Sequence, residues 1–224
     1  MTAEPVIFVV DDDEAVRDSL QILLESDGFS VEAFDCGKAF LDGADVSRPG
    51  CVLLDVRMPD INGLDLQERL AADRAAIPVI IMTGHGDVPM AVRAMRAGAV
   101  DFIEKPFTDT AVLEGIKRAL TPARKPNEED KASEQAAERL AGLTPREREV
   151  MEGLVAGHPN KVVAYNLGIS PRTVEVHRAR VMEKVGVRSL PELVRLAIAA
   201  GVAPHPGPAS TQSSGFTSPR PRAI

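Results

Sequence analysis

Two runs of apolar residues end in carboxylates, and these are the side chains best suited to chemistry. Residues 5–10 lead directly into Asp11 and Asp12, and residues 51–54 lead into Asp55. Continuous apolar runs of this length are typical of strands buried inside a parallel sheet. Ligands of open α/β sheets bind outside the carboxyl ends of the strands, where these aspartates would lie. The plain alternative is that Asp55 only caps the helix that follows.

Two further polar groups follow apolar runs in the same half of the chain. Thr83 comes after the run 79–82, and Lys105 comes shortly after the run 100–103. Carboxylates gathered at one edge repel each other, so we expect a cation between them. Oxygen ligands suit Mg²⁺, which typically takes one or two carboxylates together with a phosphate. The sequence therefore predicts a Mg²⁺ site at Asp11, Asp12 and Asp55.

These groups together favour phosphoryl transfer to Asp55, because a carboxylate can act as a nucleophile and form an aspartyl-phosphate. The metal would screen the charge of Asp55 from the incoming group. Lys105 and the Thr83 hydroxyl would supply a cation and a donor for the phosphoryl oxygens. Taken singly, each residue could equally be a helix cap or part of a surface ion pair.

The elements that must position these groups alternate along the first half of the chain. Segments with the apolar spacing of a helix lie between the apolar runs. In the first of them, Val16, Leu20 and Leu24 fall on one face and Gly28 ends the helix. Strands that alternate with helices of this length indicate an α/β fold. We predict a doubly wound parallel sheet of five strands.

The region 140–203 carries only helical signals. Thr144 before Pro145 and Ser170 before Pro171 each provide an N-cap followed by proline at the first helical position. A short helix, a glycine turn at Gly168 and a longer basic helix are typical of the helix-turn-helix. We therefore predict an all-α domain of four helices. Small, apolar and arginine side chains on the long helix suit a major groove, although a plain amphipathic surface helix is the alternative.

Charge and composition divide the chain further. The formal charge is −7, yet residues 139–203 carry ten Lys/Arg and six Asp/Glu, whereas residues 1–122 carry 11 and 22. A basic part beside an acidic part suggests nucleic acid as a partner. We predict a solvated, helical linker at 122–139 and a disordered tail at 204–224, which is rich in Pro, Ser and Gly.

Two further expectations concern the cysteines and the membrane. Cys36 and Cys51 form no CxxC or metal-ligand pattern, so we expect reduced thiols. No apolar stretch reaches ~18 residues and the N-terminus lacks a basic region, so neither export nor a membrane span is expected. The predicted location is the cytoplasm.

Residues 4–121 resemble the receiver domain of bacterial two-component response regulators, which has a flavodoxin/CheY-like fold. The run 83–107 is similar to the FixJ-type regulators in particular. The motifs that carry the resemblance are Val10-Asp11-Asp12-Asp13, Leu54-Asp55-Val56-Arg57-Met58-Pro59, Thr83-Gly84 and Lys105-Pro106.

The resemblance implies roles for individual residues. Asp55 would be the phosphoacceptor, Asp11 and Asp12 would form the acidic pocket, and the backbone carbonyl of Arg57 would also bind Mg²⁺. The Lys105–Pro106 peptide would be cis, an isomer that proline makes accessible.

The resemblance also implies a switch and a dimer face. Phe102 stands at the family's aromatic switch position, where its rotamer could report movement of Thr83. Val92 and Arg96 are four residues apart on one helix, at the place that FixJ-type receivers use to dimerise. A solvated ridge is the alternative for this pair.

Residues 143–150, 160–161 and 169–178 are similar to the LuxR/FixJ-type DNA-binding domain. The residues expected to contact DNA are Lys161, Arg172, Thr173, Glu175, Val176, His177, Arg178, Ala179 and Arg180. The lysine and the three arginines would mostly meet phosphates, whereas Glu175, Val176 and Ala179 lie where base edges would be.

The implied protein is a transcription factor and not an enzyme. It would be phosphorylated by a FixL-like sensor histidine kinase, form a homodimer, bind double-stranded promoter DNA and act on RNA polymerase. A phosphatase that uses an aspartyl intermediate would need a second carboxylate close after Asp55, but Arg57 stands there. A protein-binding adaptor without DNA is disfavoured by the basic helix.

Overall fold

An α/β unit and a helical unit follow one another in the computed structural model. It describes residues 4–73, 77–84, 87–121 and 126–202, with the backbone alone at 126–130. The first unit contains β1 (Val6–Val10), α1 (Glu14–Ser26), β2 (Ser30–Phe34), α2 (Gly37–Gly43), β3 (Gly50–Asp55), α3 (Gly63–Ala72), β4 (Val79–Thr83), α4 (Val88–Arg96), β5 (Asp101–Glu104) and α5 (Asp109–Leu120). The second contains α6 (Pro126–Ala141), α7 (Pro145–Val155), α8 (Asn160–Leu167), α9 (Pro171–Val185) and α10 (Leu190–Ala199).

The five strands form one parallel sheet in the order β2-β1-β3-β4-β5. All residues of β1 and β4, and all of β3 after Gly50, are buried because helices cover both faces of the sheet. The predicted doubly wound fold is therefore confirmed. Its register pairs Val10 with Leu54 and Asp55 with Met82, so the carboxyl ends of the central strands lie level with one another.

The helices of the second unit begin and end where local signals place them. Thr144 and Glu147 form a reciprocal capping box at α7, and the Ser170 hydroxyl accepts a hydrogen bond from the Thr173 amide at the start of α9. Gly168 and Gly186 end α8 and α9 with φ of +63° and +66°, a backbone region that favours glycine. This arrangement confirms the predicted helix-turn-helix within an all-α unit.

The segment predicted as a solvated linker differs from that expectation. Helix α6 occupies most of it, as predicted, but Ala136 and Leu140 are buried against the helical unit. Residues four apart lie on the same face of a helix, so these two apolar side chains can pack one face of α6 on the helical unit while its other faces carry charge. Residues 122–125, like the predicted tail at 204–224, lie outside the described residues.

Both cysteines are free thiols, as expected, with Cys51 buried and Cys36 half-buried. Burial raises the pKa of the Cys51 thiol to about 12. In the described part of the chain, no helix is both long and apolar enough to cross a membrane.

Candidate functional site

Lys105 joins two strand ends at the carboxyl edge of the sheet. Its Nζ donates to Asp11 Oδ2 at 2.6 Å and to Asp55 Oδ1 at 2.7 Å. Asp11 is fully buried and Asp55 is 4% exposed. The Lys105 amide donates to the Thr83 carbonyl at 2.7 Å, which fixes the loop after β5 beside β4. The structure thus brings together Asp11, Asp55 and Lys105 next to Thr83.

The loop after Asp55 is held close to that residue. The Arg57 amide donates to Asp55 Oδ2 at 2.5 Å, and the Val56 amide donates to the Met82 carbonyl at 3.0 Å. An ideal Cβ at Gly63 would lie only 2.0 Å from the Asp55 carbonyl oxygen, so any larger residue would displace the loop. The carboxylate is therefore held in a defined position, with its Oδ1 on Lys105 and its Oδ2 on the Arg57 amide.

The pocket favours additional positive charge. Burial raises the pKa of Asp11 above its usual value, although Lys105 and the Asp13 amide act in the opposite direction. Burial alone would lower the pKa of Lys105, but its hydrogen bonds to Asp11 and Asp55 outweigh this effect and the pKa is raised. One ammonium group therefore does not fully compensate two buried carboxylates.

This charge imbalance and the hard oxygen donors of Asp11, Asp55 and the Arg57 carbonyl fit a Mg²⁺ ion. Asp12 does not join this cluster in the structure, so its expected role as a Mg²⁺ ligand stays a prediction. Asp12 is exposed, and no three His, Cys, Asp or Glu side chains within the described ranges form a group that could hold a metal. Asp11 and Asp12 follow the end of β1, and Asp12 lies in a bend where it faces solvent while Asp11 bonds Lys105.

The residues expected to form the switch lie inside the sheet. Thr83 is fully buried and Phe102 is 7% exposed on β5, where it pairs with Ile81. The Lys105–Pro106 peptide is cis, which confirms that expectation.

The predicted dimer face is covered by the helical unit. Val92 is 2% exposed, and Nη2 of Arg96 donates to the Val155 carbonyl near the end of α7 at 2.7 Å. The expectation that Val92 lies on an outer face is therefore wrong for this arrangement, because α7 and α10 pack over α4. Dimerisation through Val92 and Arg96 stays a prediction, and it requires the helical unit to leave.

A second bond crosses the same boundary in the opposite direction. Nη1 of Arg195, on α10, donates to the Val100 carbonyl at the start of β5 at 2.8 Å. Val100 in turn donates its amide to the Val79 carbonyl within the sheet. The helical unit is thus bonded directly to the edge strand that ends near Lys105.

The expected DNA-reading face of α9 is open. Arg172, Glu175, Val176, Ala179 and Arg180 are exposed on it, as is Lys161 on α8. Val176 has 43% of its surface exposed, so its methyl groups are accessible on this face.

Three other expected DNA contacts are less accessible. Thr173, His177 and Arg178 are half-buried. The Thr173 hydroxyl lies 2.9 Å from the Ser170 hydroxyl, and Nδ1 of His177 is buried without a hydrogen-bond partner among the described residues. Thr173 and His177 therefore lie on the flank of the open face.

Several charged residues of these sites escaped the sequence reasoning. Arg17 donates to the Asp11 carbonyl at 2.7 Å, and Arg139 donates to the end of α9. Glu147 bonds Lys184 at 2.7 Å. Glu147 could have been found, because Thr144 followed three residues later by Glu is a capping-box signature. The arginines bond backbone carbonyls, which leave no sequence signal.

Comparisons with known proteins match both units. The family model for the response regulator receiver domain matches residues 7–117, and the model for bacterial regulatory proteins of the luxR family matches residues 141–197. The transcriptional regulatory protein FixJ of Bradyrhizobium diazoefficiens is 52% identical over 205 residues, covering 90% of this chain and 98% of that protein. FixJ of Azorhizobium caulinodans is also 52% identical, over 88% of this chain and 94% of its own length.

Solved structures agree with this assignment. Full-length FixJ from B. japonicum has 50% sequence identity and a TM-score of 0.50, covering 91% of this chain and all of that one. The response regulator StyR has 44% identity and a TM-score of 0.52 over 88% of this chain and 99% of that one.

A receiver domain followed by a luxR-family DNA-binding domain defines a two-component response regulator that regulates transcription. This chain belongs to that family. Within the family it is a FixJ-type regulator, as its resemblance to the FixJ proteins along most of the chain shows.

Proposed function

We propose that a partner histidine kinase phosphorylates Asp55, that the modified protein dimerises through its receiver, and that the dimer binds promoter DNA to regulate transcription in the cytoplasm. A FixL-like kinase and RNA polymerase are the proposed partners. Several relatives of this chain are FixJ proteins, and this supports a kinase of the FixL type. The observation that carries the proposal is the shared bond of Lys105 to Asp11 and Asp55.

The chain's own groups divide the work of phosphoryl transfer. Asp55 Oδ2 is held by the Arg57 amide and Oδ1 by Lys105, so a defined carboxylate oxygen can be presented to the phosphoryl donor. Asp11, Asp55 and the Arg57 carbonyl would hold Mg²⁺, with Asp12 turning inward. When bound, the ion neutralises charge on the phosphoryl oxygens. Lys105 then remains beside the phosphorylated Asp55 as a cation for those oxygens.

Phosphorylation replaces the single negative charge of the Asp55 carboxylate by a phosphoryl group that carries roughly −1.5 to −2, so this edge of the sheet gains up to about one negative charge together with the phosphoryl oxygens. Lys105 and Thr83 adjoin it, and both belong to segments that lead into the boundary with the helical unit. Moving the protein from mostly inactive to mostly active requires about 5 kcal/mol of differential affinity between the two states. Burial of the Val92 face against a second copy is the proposed source of that energy.

The open face of α9 changes how inhibition is explained. If the acidic receiver shielded the basic recognition helix directly, the DNA-reading side chains of α9 would be covered, but they are exposed. Covering of the α4 face therefore supports inhibition of dimer formation instead of direct masking of α9. A dimer would then read half-sites about one helical turn apart.

The proposal is tested by incubating the protein with Mg²⁺ and acetyl phosphate. Intact mass should show one added phosphate, and gel filtration should show a dimer. Asp55→Asn should gain no phosphate because the nucleophilic oxygen is gone, whereas Asp45→Asn, a change in an exposed loop aspartate, should be phosphorylated normally. Phosphate on the Asp55→Asn protein would refute the assignment of the acceptor.

Two rival functions give different outcomes. A phosphatase would release phosphate from an added monoester with turnover, and Arg57 stands where its acid–base carboxylate would be needed. An adaptor would be phosphorylated but would not shift duplex DNA in a gel. The exposed basic residues on α8 and α9 favour DNA binding over the adaptor.

A further inference from the structure

Arg139 connects the linker helix to the end of the recognition helix. Its Nε donates to the Val185 carbonyl at 2.7 Å, and its Nη2 donates both to that carbonyl and, at 3.0 Å, to the Gly186 carbonyl. These are the last carbonyls of α9, where a helix leaves acceptors unpaired and carries partial negative charge. A guanidinium group that bonds both carbonyls fixes the position and the direction of that helix end.

The space between α6 and the end of α9 is only partly filled, and this makes the bonds of Arg139 important. A cavity of about 430 Å³ lies between α6, the turn after α9 and α10, and Ala132, Gln135, Val187 and Ala199 are among its lining residues. Ala136 and Leu140 pack α6 on the helical unit, and beside this cavity the bonds of Arg139 are what attach α6 to the end of α9. An ideal Cβ at Gly186 would lie 3.4 Å from Nη2 of Arg139, an ordinary contact distance, so the guanidinium lies directly against the turn.

Within the described ranges, the other side-chain hydrogen bonds that α9 and α6 form with neighbouring helices connect each of them to α7. Lys184 bonds Glu147, which is 3% exposed, and this ties α9 to α7. Arg148 donates to the Leu140 carbonyl at 3.0 Å, and this ties α7 to the end of α6. Among the side-chain bonds of the described residues, those of Arg139 are the ones that join α6 directly to α9.

We propose that Arg139 is a positioning residue that holds recognition helix α9 at a fixed angle to linker helix α6, and that sequence discrimination on DNA depends on this angle. The proposal rests on the DNA binding proposed above. Arg139 lies at the opposite end of α9 from Arg172 and Glu175, so it acts on base reading through the helix and not by touching DNA. Because α6 starts a few residues after the receiver, its movement would be passed to α9 through the same bonds.

The test compares Arg139→Ala, Arg139→Lys and the matched control Arg148→Ala, which loses an arginine–carbonyl bond that does not involve α9. The probes are a duplex enriched from a random pool by the acetyl-phosphate-treated wild-type protein and a scrambled duplex of equal composition. Binding is titrated on both at several salt concentrations, and thermal unfolding is measured in parallel.

Arg139→Ala should lower the ratio of specific to scrambled affinity by about tenfold, comparable to losing one base-pair contact. Its salt slope should stay within about one unit of wild type, because no phosphate contact is lost. Arg139→Lys should recover part of the ratio, since an ammonium can still donate to these carbonyls. Arg148→Ala should keep the ratio even if it unfolds at a lower temperature.

Three results would overturn the proposal. A wild-type ratio for Arg139→Ala, with only a lower unfolding temperature, would assign the residue a structural role. Equal weakening on both duplexes with a smaller salt slope would make it a phosphate contact. A wild-type protein that enriches no sequence would overturn the DNA-reading part of the proposed function, and the role of Arg139 with it.

Discussion

Val92 of the receiver packs directly on Gly157 of the DNA-binding domain, where an ideal Cβ would lie 3.6 Å from Cγ1 of Val92. The Arg96–Val155 and Arg195–Val100 bonds flank this contact and run in opposite directions across the boundary. The face proposed for dimerisation is thus occupied by the protein's own second domain. The recognition helix remains open in the same arrangement.

Arg195→Ala should loosen the domain boundary without changing the receiver face. A hydrogen bond to a charged group contributes roughly 1.5–3 kcal/mol, so the fraction of open molecules should rise about tenfold or more. We expect a larger dimer fraction in sedimentation of unphosphorylated protein. Arg188→Ala, in the same domain, is the control. Equal sedimentation of Arg195→Ala and wild type would remove this boundary from the switching scheme.

Val92→Asp should keep the phosphorylated protein monomeric, because a carboxylate in the centre of an apolar interface must be desolvated. The same change should also separate the two domains, since it buries that charge against Gly157. Gel filtration after acetyl phosphate treatment distinguishes the effects, as an open monomer elutes earlier than a closed one but later than a dimer. A normal dimer would rule out this face.

Lys105→Met should destabilise the receiver, since two buried carboxylates lose their shared cation. Removing one partner of a buried ion pair costs about 3–5 kcal/mol, and partial exposure of Lys105 places the expected loss near the lower figure. Added Mg²⁺ should recover much of it. Phosphorylation should still occur, but dimerisation should weaken. The measurement is urea unfolding with and without Mg²⁺, and a Mg²⁺-independent midpoint would contradict the assigned pocket.

Glu147 should make the DNA-binding domain sensitive to acid. Its bond to Lys184 and the Thr144 amide lower its pKa from 4.5 to about 2. A pKa that is depressed in the folded state contributes stability above about pH 4.5, and this contribution is lost as the pH falls towards 2. Glu147→Gln should therefore unfold more easily at pH 7, with a difference from wild type that shrinks at pH 3. Urea midpoints at the two pH values test this, and a constant difference would count against the ion pair.

The open face of α9 should contain two kinds of DNA contact. Arg180→Ala should weaken binding to all duplexes alike and lower the salt slope by about one unit. Val176→Ala should change the preferred sequence, by about 1–3 kcal/mol per affected base pair, and leave the slope unchanged. Titrations on specific and random duplexes separate the two, and an exchange of the two outcomes would mean that the assigned roles are reversed.

Sequence periodicity was enough to predict the sheet and the meeting of Asp11, Asp55 and Lys105. Parallel strands bring their carboxyl ends to one edge, so residues at run ends must be neighbours. The side on which Asp12 lies could not be predicted in this way, because Asp11 and Asp12 come after the last residue of β1 and the alternation of a strand does not extend to them. The burial of α6 was harder to predict, because its buried apolar face consists of Ala136 and Leu140 in a segment that is otherwise rich in charged residues.

The domain boundary could not be predicted from the sequence. The apolar spacing of α4 around Val92 is that of an amphipathic helix. This pattern is the same whether the helix packs on another domain, on a second copy or on the core of its own domain. Arg96 and Arg195 each donate to a peptide oxygen, and neither forms an ion pair with an acidic side chain among the residues that the structure describes. Charge patterning therefore carries no trace of this contact.

The use of peptide oxygens as acceptors affects how these contacts can evolve. Arg96, Arg139 and Arg195 each bond the carbonyl of a valine, at Val155, Val185 and Val100. Every amino acid carries that carbonyl, so substitutions on the acceptor side leave the bond available as long as the backbone keeps its path. Replacement of an arginine removes the bond in one step. Inherited variation can therefore accumulate on the acceptor side of each contact while the hydrogen bond itself is kept.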